Sequence, residues 1–363
     1  MAIVFSDHTI NGKILNAFNN SVVRFESDSP VEILNAEITI TSDSSYTFEI
    51  TPSPEGKFYF NFKGVMQKLI NASRFHDSCP YPVGTMWEDV NAYLDVNVEY
   101  RINYEDLSFD TASFSYTFLK GLNQVPERNY FESRGQLFPL LRMAGGETYL
   151  TFFKGFPFSI PFYGENISVT IVTYEADQAN RSSNAVVNFT HKKEVARLIL
   201  SNGVDVWDQI TSNEHGININ GSYINLKIVE RCGVFLKWHN QYGGWNYWLF
   251  DNNYLSDTKE SLIGSIANDF SNLPDTVSPE VSMGKSTSKS MQLFANNVEM
   301  DQVEMLLGII ESPKVLFYLG EKDSGSNEWV EVAISKKTAQ YKSRGHKATL
   351  SVNVTIPTFN LSL

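Results

Sequence analysis

Met283-Gly284-Lys285-Ser286-Thr287 holds the glycine, lysine and hydroxyl residues that close a phosphate-binding loop, where backbone N–H groups surround the phosphates. The glycine such a loop needs five residues before Gly284 is instead Pro279, which has no N–H to offer, and no apolar strand leads in. A solvated loop is the expectation. His215, Cys232 and His239 form the one local group of metal-ligand types, but no short-spaced pair anchors a tetrahedral site, so a packed cysteine and two ordinary histidines are expected. His8, His76, His191 and His346 are scattered, and neither Gly-x-Ser-x-Gly nor His-Glu-x-x-His occurs. Carboxylate pairs on neighbouring strands are able in principle to cleave sugars, yet among 41 acidic residues such pairs arise by chance. Cys79 and Cys232 are too far apart for a zinc spacing and too few for a disulfide framework, so both read as inert thiols. No catalytic residue, metal or cofactor is expected, and the chain reads as a non-enzyme.

The densest feature is aromatic. In Trp238-His239-Asn240-Gln241-Tyr242-Gly243-Gly244-Trp245-Asn246-Tyr247-Trp248-Leu249-Phe250 the glycine pair permits a tight turn. Strand alternation then sends Trp245, Tyr247 and Leu249 to one face and Asn246, Trp248 and Phe250 to the other. Three readings stay open for Trp238, Tyr242, Trp245, Tyr247 and Trp248: a strand buried on both faces, a subunit contact, or a platform on which sugar rings stack. The stretch from Tyr149 to Gly164 is also rich in rings, and Pro157 and Pro161 deny it ladder donors at two places. Edge or irregular backbone is expected there, with packing as the default role of the rings.

The elements that must carry these residues are mostly strands. Leu94, Val96, Val98, Tyr100 and Ile102 alternate with polar residues, as do Leu350, Val352, Val354 and Ile356, which is the period of a half-buried strand. The segments 38–40 and 46–50 flank a polar turn and read as a hairpin, followed by a strand at 58–62. Further strands are expected at 114–119, 167–174, 186–190, 223–229, 234–238, 246–250, 315–319 and 329–334. Helical spacing predicts a helix over 299–311, where Val303, Leu306, Leu307 and Ile310 recur ahead of Pro313, and a shorter one over 63–72. A third helix is read over 257–270 from Asp257-x-x-Glu260 and Leu262, Ile263, Ile266 and Phe270, although Gly264 weakens it. The polar run 175–184 reads as a linker, dividing the chain near residue 190 into two β-rich parts, 1–190 and 191–363. The segment 271–290 reads as a loop, able to act as an arm reaching a neighbouring subunit. The fold class expected is mainly β: two or more sandwich- or barrel-like domains with a few short flanking helices.

Composition narrows the function. With 29 basic against 41 acidic residues the net charge is -12, which disfavours binding through a phosphate backbone. Only 19% of residues are charged while 13% are aromatic, a balance suited to surfaces buried by copies of the same chain. No run approaches the roughly 18 apolar residues of a membrane helix, so no membrane span is expected. The first residues lack the basic start and apolar core of a secretory signal, which points to synthesis in the cytoplasm.

The segment from Cys232-Gly233-Val234-Phe235-Leu236-Lys237-Trp238 to Gly243-Gly244-Trp245-Asn246-Tyr247-Trp248-Leu249-Phe250 resembles one common in tail-associated proteins of bacteriophages. Tyr149-Leu150-Thr151 to Gly155-Phe156-Pro157-Phe158 is similar to another recurring piece. So is the C-terminal order of loop with Gly284-Lys285, strand, helix 299–311, strand 315–319 and closing strands. The resemblance covers about half of the chain and brings no catalytic motif. It implies a virion structural protein, a β-sandwich subunit that forms a ring at the tail tube, distal tail or baseplate. Its partners would be copies of itself and other tail proteins, with DNA passing without specific contact. The alternative is a glycan-binding β-sandwich module using Trp245, Tyr247 or Trp248.

Overall fold

A computed structural model describes residues 3–6, 14–71, 77, 79, 86–122, 130–131, 135–136, 141–142, 146–164, 168–174, 183–190, 195–200, 215–219, 222–267, 278, 280–321, 327–334, 340–344 and 347–356. The protein is mainly β: five sheets, with two helices among the described residues. The helices are α1, Lys63–Ile70, and α2, Met300–Glu311. The chain separates into two compact units. Unit 1 is Met1–Leu150, Pro157–Lys227 and Asn240–Trp245; unit 2 is Thr151–Phe156, Ile228–His239 and Asn246–Leu363. The boundary expected near residue 190 therefore lies inside unit 1, because short segments pass between the units several times. The 175–182 part of the expected linker lies outside the described residues, and Ser183–Thr190 is a strand.

Unit 1 opens with two sheets around one core. The strands Ile3–Phe5, Val22–Ser27 and Lys57–Asn61 form the smaller sheet. The larger runs in the order Tyr130–Phe131, Ile14–Asn16, Phe109–Leu119, Tyr93–Tyr104, Ile33–Thr41, Ser45–Ile50. Its register explains the period-2 pattern: Ile38 lies opposite Tyr100 and Tyr100 opposite Ala112, so alternate residues share a face. Ala36, Ile38, Ile40, Val96, Val98, Tyr100 and Ile102 are buried on one side. On the other, Thr39 bonds Thr47, Ser115 donates to Asn97 and Thr117 to Asp95. The buried face meets Phe25, Phe58, Phe60 and Phe62, where Phe25 and Phe58 stack at 5.1 Å and Tyr100 meets Phe25 edge-on at 5.2 Å. Each fully buried ring of this kind contributes about 2 to 3 kcal/mol. Helix α1 closes the core with Met66 and Ile70, and Asn61 accepts the Lys63 N–H that the helix start would otherwise leave unpaired.

Two further sheets belong to the later part of unit 1. One orders Gly135–Gln136, Phe158–Tyr163, Val195–Leu200 and Met86–Glu88; the other includes Ser168–Tyr174, Ser183–Thr190 and His215–Ile219. Pro161 sits in the strand Phe158–Tyr163, which pairs with Gly135–Gln136 on one side and Val195–Leu200 on the other, so this part of the stretch is not the edge that was expected. The rings of the 149–164 stretch are largely interior: Tyr149, Phe152, Phe153, Phe158, Phe162 and Tyr163 are buried.

In unit 2 the largest sheet runs Trp245–Asp251, Gly233–His239, Val315–Glu321, Asn327–Ile334, Lys347–Ile356, Glu280–Glu299, Leu255–Ala267, with Gln340–Arg344 also on Lys347–Ile356. Helix α2 packs on Glu280–Glu299 and Lys347–Ile356 through Val303, Leu306 and Ile309. Its start is closed reciprocally: Glu299 accepts from the Gln302 backbone, while Gln302 accepts the Glu299 N–H and donates to Thr151 at 3.0 Å. The helix expected over 257–270 is corrected here: residues 255–267 are a strand. An isolated apolar stripe has no helix-period core to meet there, whereas Thr258, Ser261, Ser265 and Gly264 accept extended backbone and the partner strand supplies a ladder. The loop expected over 271–290 is likewise corrected from Glu280 onward, where strand Glu280–Glu299 begins; residues 271–277 and 279 lie outside the described set. Among the described residues no helix is long and apolar enough to cross a membrane.

Candidate functional site: a ribbon beyond the sheet, and the buried rings and charges

The glycine turn forms as its sequence requires. Asn240 N–H donates to Gly244 O and Gly243 N–H to Asn240 O, while the Asn240 side-chain oxygen accepts from the Tyr242 and Gly244 backbones. Gly243 has φ +91°, a conformation that side chains rarely tolerate. Of the five rings singled out, Trp238, Trp245, Tyr247 and Trp248 are buried. Tyr242 is half-buried against Ala92, Leu119, Tyr163 and Val195. The strand Trp245–Asp251 is covered on both faces up to Phe250. A ring with 5 or 6% of its surface exposed, as Trp245, Tyr247 and Trp248 have, presents no face for a sugar to stack on. Phe235 stacks on Tyr247 at 5.9 Å, and Phe153 meets Trp248 edge-on at 5.3 Å. This segment is core in the folded chain.

Sequence reasoning missed a buried charge cluster in unit 1. Arg197, 1% exposed, donates through Nη1 and Nη2 to both carboxylate oxygens of Asp77, at 2.6 and 3.3 Å. Nε and Nη2 also donate to Ser159 Oγ, and Asp89 lies 3.5 Å from Nη1. The guanidinium faces Trp87 and Trp245 at 5.7 and 6.0 Å. Burial raises the Asp89 carboxyl above its ordinary range, with Arg197 opposing. A signal was available: Arg197 is the lone charge in Val195-Ala196-Arg197-Leu198-Ile199-Leu200, and an ion in an apolar strand needs buried partners.

Lys120 lies near the same cluster and is also buried. Burial pushes its ammonium down from 10.5 to about 8, with Asp89 opposing. The unfolded chain keeps that proton up to its ordinary value, so from about pH 8 toward pH 10 the unfolded state binds more protons through this group and stability rises with pH. Above pH 10 the sign reverses. Burial raises the hydroxyls of Tyr100, Tyr163 and Tyr318, the last to about 12, so they ionise first in the unfolded chain. Urea unfolding between pH 7 and 12 should therefore give a stability maximum near pH 10. A steady decline from pH 8 contradicts this assignment.

The feature with least cover is the ribbon of Leu255–Ala267 and Glu280–Glu299. Pairing with Lys347–Ile356 extends only from Glu299 to Lys289, whereas pairing with Leu255–Ala267 continues to Glu280. Residues 259–267 and 280–288, nine on each strand, thus form, among the described residues, a two-stranded ribbon about 30 Å long. Its shaft is polar: Ser261 bonds Ser286 at 2.6 Å, and Lys285 pairs with Glu260 at 2.6 Å. Two opposed bulges, at Ile263 and Met283, bracket the pair Gly264 and Gly284. Each bulged side chain lies across the glycine of the other strand, Met283 over Gly264 and Ile263 over Gly284. Leu262, Ile263, Ile266, Val281 and Met283 are each more than half exposed. Lys285 and its neighbours are therefore ladder residues and cradle no phosphate. A two-stranded ribbon is marginal in water on its own, so such an end is stabilised by whatever covers it.

His215 and His239 are buried, and Cys232 is exposed where a packed cysteine was expected; Cys79 is buried, and neither cysteine is in a disulfide. His8, His76, His191 and His346 lie outside the described residues. Among the described residues no group of three or more His, Cys, Asp or Glu gathers as a metal would need.

No family model matches the chain, and no curated protein matches it. Among solved structures it is similar to the fibronectin(III)-like modules of Clostridium thermocellum CbhA. The identity is 6%, the TM-score 0.21, and the match covers 63% of this chain and 94% of that one. A likeness at that level carries no argument about function.

Proposed function

We propose that this chain is a structural subunit of a bacteriophage tail, a non-enzymatic protein that works by assembling into a ring at the tail tube, distal tail or baseplate. The observation that carries the reading is the ribbon, whose apolar end lies beyond the sheet and is uncovered by the described residues of its own chain. The low charge supports the same reading, since a ring subunit gives surface to both neighbours. Its place would be the virion tail, after synthesis in the bacterial cytoplasm, with copies of itself and other tail proteins as partners. The acidic balance suits a conduit through which DNA passes without sticking.

Sedimentation of the purified chain, with electron microscopy of the heaviest species, tests this. The expected result is a closed ring of many copies. A monomer at every concentration up to the solubility limit, absent from any particle, overturns it. If that monomer also binds oligosaccharide, the glycan-module reading takes its place.

A further inference from the structure

We infer that the basic hairpin of Gln340–Arg344 and Lys347–Ile356 in one copy docks on the acidic outer face of the unit 1 sheet that holds Ile33–Thr41 and Tyr93–Tyr104 in the next copy. The inference rests on the assembly reading above and adds to it a head-to-tail contact.

Charge is divided unevenly along the chain. Glu331 is the last acidic residue, and residues 332–363 carry Lys336, Lys337, Lys342, Arg344 and Lys347, a local +5 in a chain of -12. Three of these five sit on the hairpin, where Arg344 lies directly opposite Lys347 and Lys342 opposite Thr349. Lys347 and Thr349 are exposed positions of their strand, alternating with the buried Ala348 and Leu350. Glu299, opposite Lys347 on its other side, is taken up in closing the start of helix α2.

The sheet that fits this hairpin has the same layout with the opposite sign. Its outer face is a level field of hydroxyls from Thr39, Thr47, Ser113 and Ser115, in which Glu37 lies directly opposite Glu49 and Glu99 opposite Thr39. Among the described residues no cation pairs with these three carboxylates. Arg101, opposite Glu37, instead donates to Asn103 and lies over the Phe109 ring at 4.1 Å. Each surface therefore holds a like-charge cross-strand pair, with a third charge of the same sign two rungs away. Like charges directly opposite destabilise the isolated chain, and laying one surface on the other relieves both repulsions. Every copy offers one basic hairpin and one acidic face, so pairing leaves one of each free at the ends until a ring closes. The contact does not use the ribbon.

Sedimentation of the full chain tests it. Arg344→Glu with Lys347→Glu, and separately Glu49→Lys with Glu99→Lys, should each weaken association at least tenfold, because like charges then face each other. A chain carrying all four substitutions should regain wild-type association, since the signs match again. Glu49, Glu99 and Lys347 are exposed, so thermal unfolding of each variant should stay within a few degrees of the wild type. A duplex DNA probe at the same salt should leave the wild-type chain unbound. Association unchanged by either pair of reversals, or not regained by the fourfold chain, overturns this contact and leaves the assembly reading standing. So does DNA binding that the Arg344 and Lys347 substitutions abolish, which makes the hairpin a nucleic-acid contact instead. A chain that never associates overturns both.

Discussion

Replacing Arg197 by methionine is expected to lower the unfolding free energy at pH 7 by about 3 to 5 kcal/mol, the loss typical when one member of a buried ion group is removed. The size follows from what remains. Asp77 loses its two-pronged partner, Asp89 loses the cation that opposes its burial, and two carboxylates with little exposure face each other across an apolar hole. Ser159 also loses the donors it accepts from. Because Asp89 would then hold its proton to still higher pH, the folded variant binds more protons than the unfolded chain through the acidic range. The deficit therefore shrinks as pH falls. Urea unfolding at pH 7 and 5 measures both effects. Adding Asp77→Asn and Asp89→Asn should recover most of the loss, since neutral groups cost less to bury than unpaired ions. A single-variant loss below about 1 kcal/mol contradicts the view that this cluster holds the Asp77 segment against its sheet.

Gly233→Ala is expected to cost about 3 kcal/mol or more, at the upper end of overpacking effects. An added Cβ would lie 2.0 Å from the Phe250 backbone oxygen and 3.1 Å from Leu249 Cγ. Backbone cannot swing aside as a side chain can, so the strands Gly233–His239 and Trp245–Asp251 would have to part at this end. That movement also pulls on Arg231, which donates to Leu249 O and to Asp251, both at 2.6 Å. Two controls separate the clash from glycine's general effects. Gly155→Ala meets nothing within 4 Å but sits at φ +88°, and should cost about 1 kcal/mol. Gly64→Ala, in helix α1 with open space around it, should stabilise by about 0.5 to 1 kcal/mol. Thermal unfolding of the three should rank them in that order, and a Gly233→Ala chain no worse than Gly155→Ala would refute the close approach.

Much of the strand framework was legible because its signal is local. Alternation in 94–102 and 350–356 is a period that only a strand with one buried face satisfies, and the recurrence of Val303, Leu306, Leu307 and Ile310 is met by the helix Met300–Glu311. The Gly243 turn was readable for the same reason, since its φ is a property of one residue. The segment 255–290 was misread because its local signals conflict. Leu262, Ile263 and Ile266 carry helical spacing, while the serines and threonines around them favour extended backbone. The decision fell to a partner strand that begins 13 residues after Ala267.

Composition and period by themselves determined that this protein is a mainly β chain with few charges, many rings and helices near 63–72 and 299–311. Those properties are summed over neighbours in sequence, and every fold the chain could adopt must respect them. Only the tertiary structure decided which rings are interior, that Arg197 meets Asp77 across 120 residues, and that Leu255–Ala267 runs out past its sheet with one edge unpaired among the described residues. Burial and ion pairing depend on what the rest of the chain brings to a residue from far away, and no window of sequence contains that.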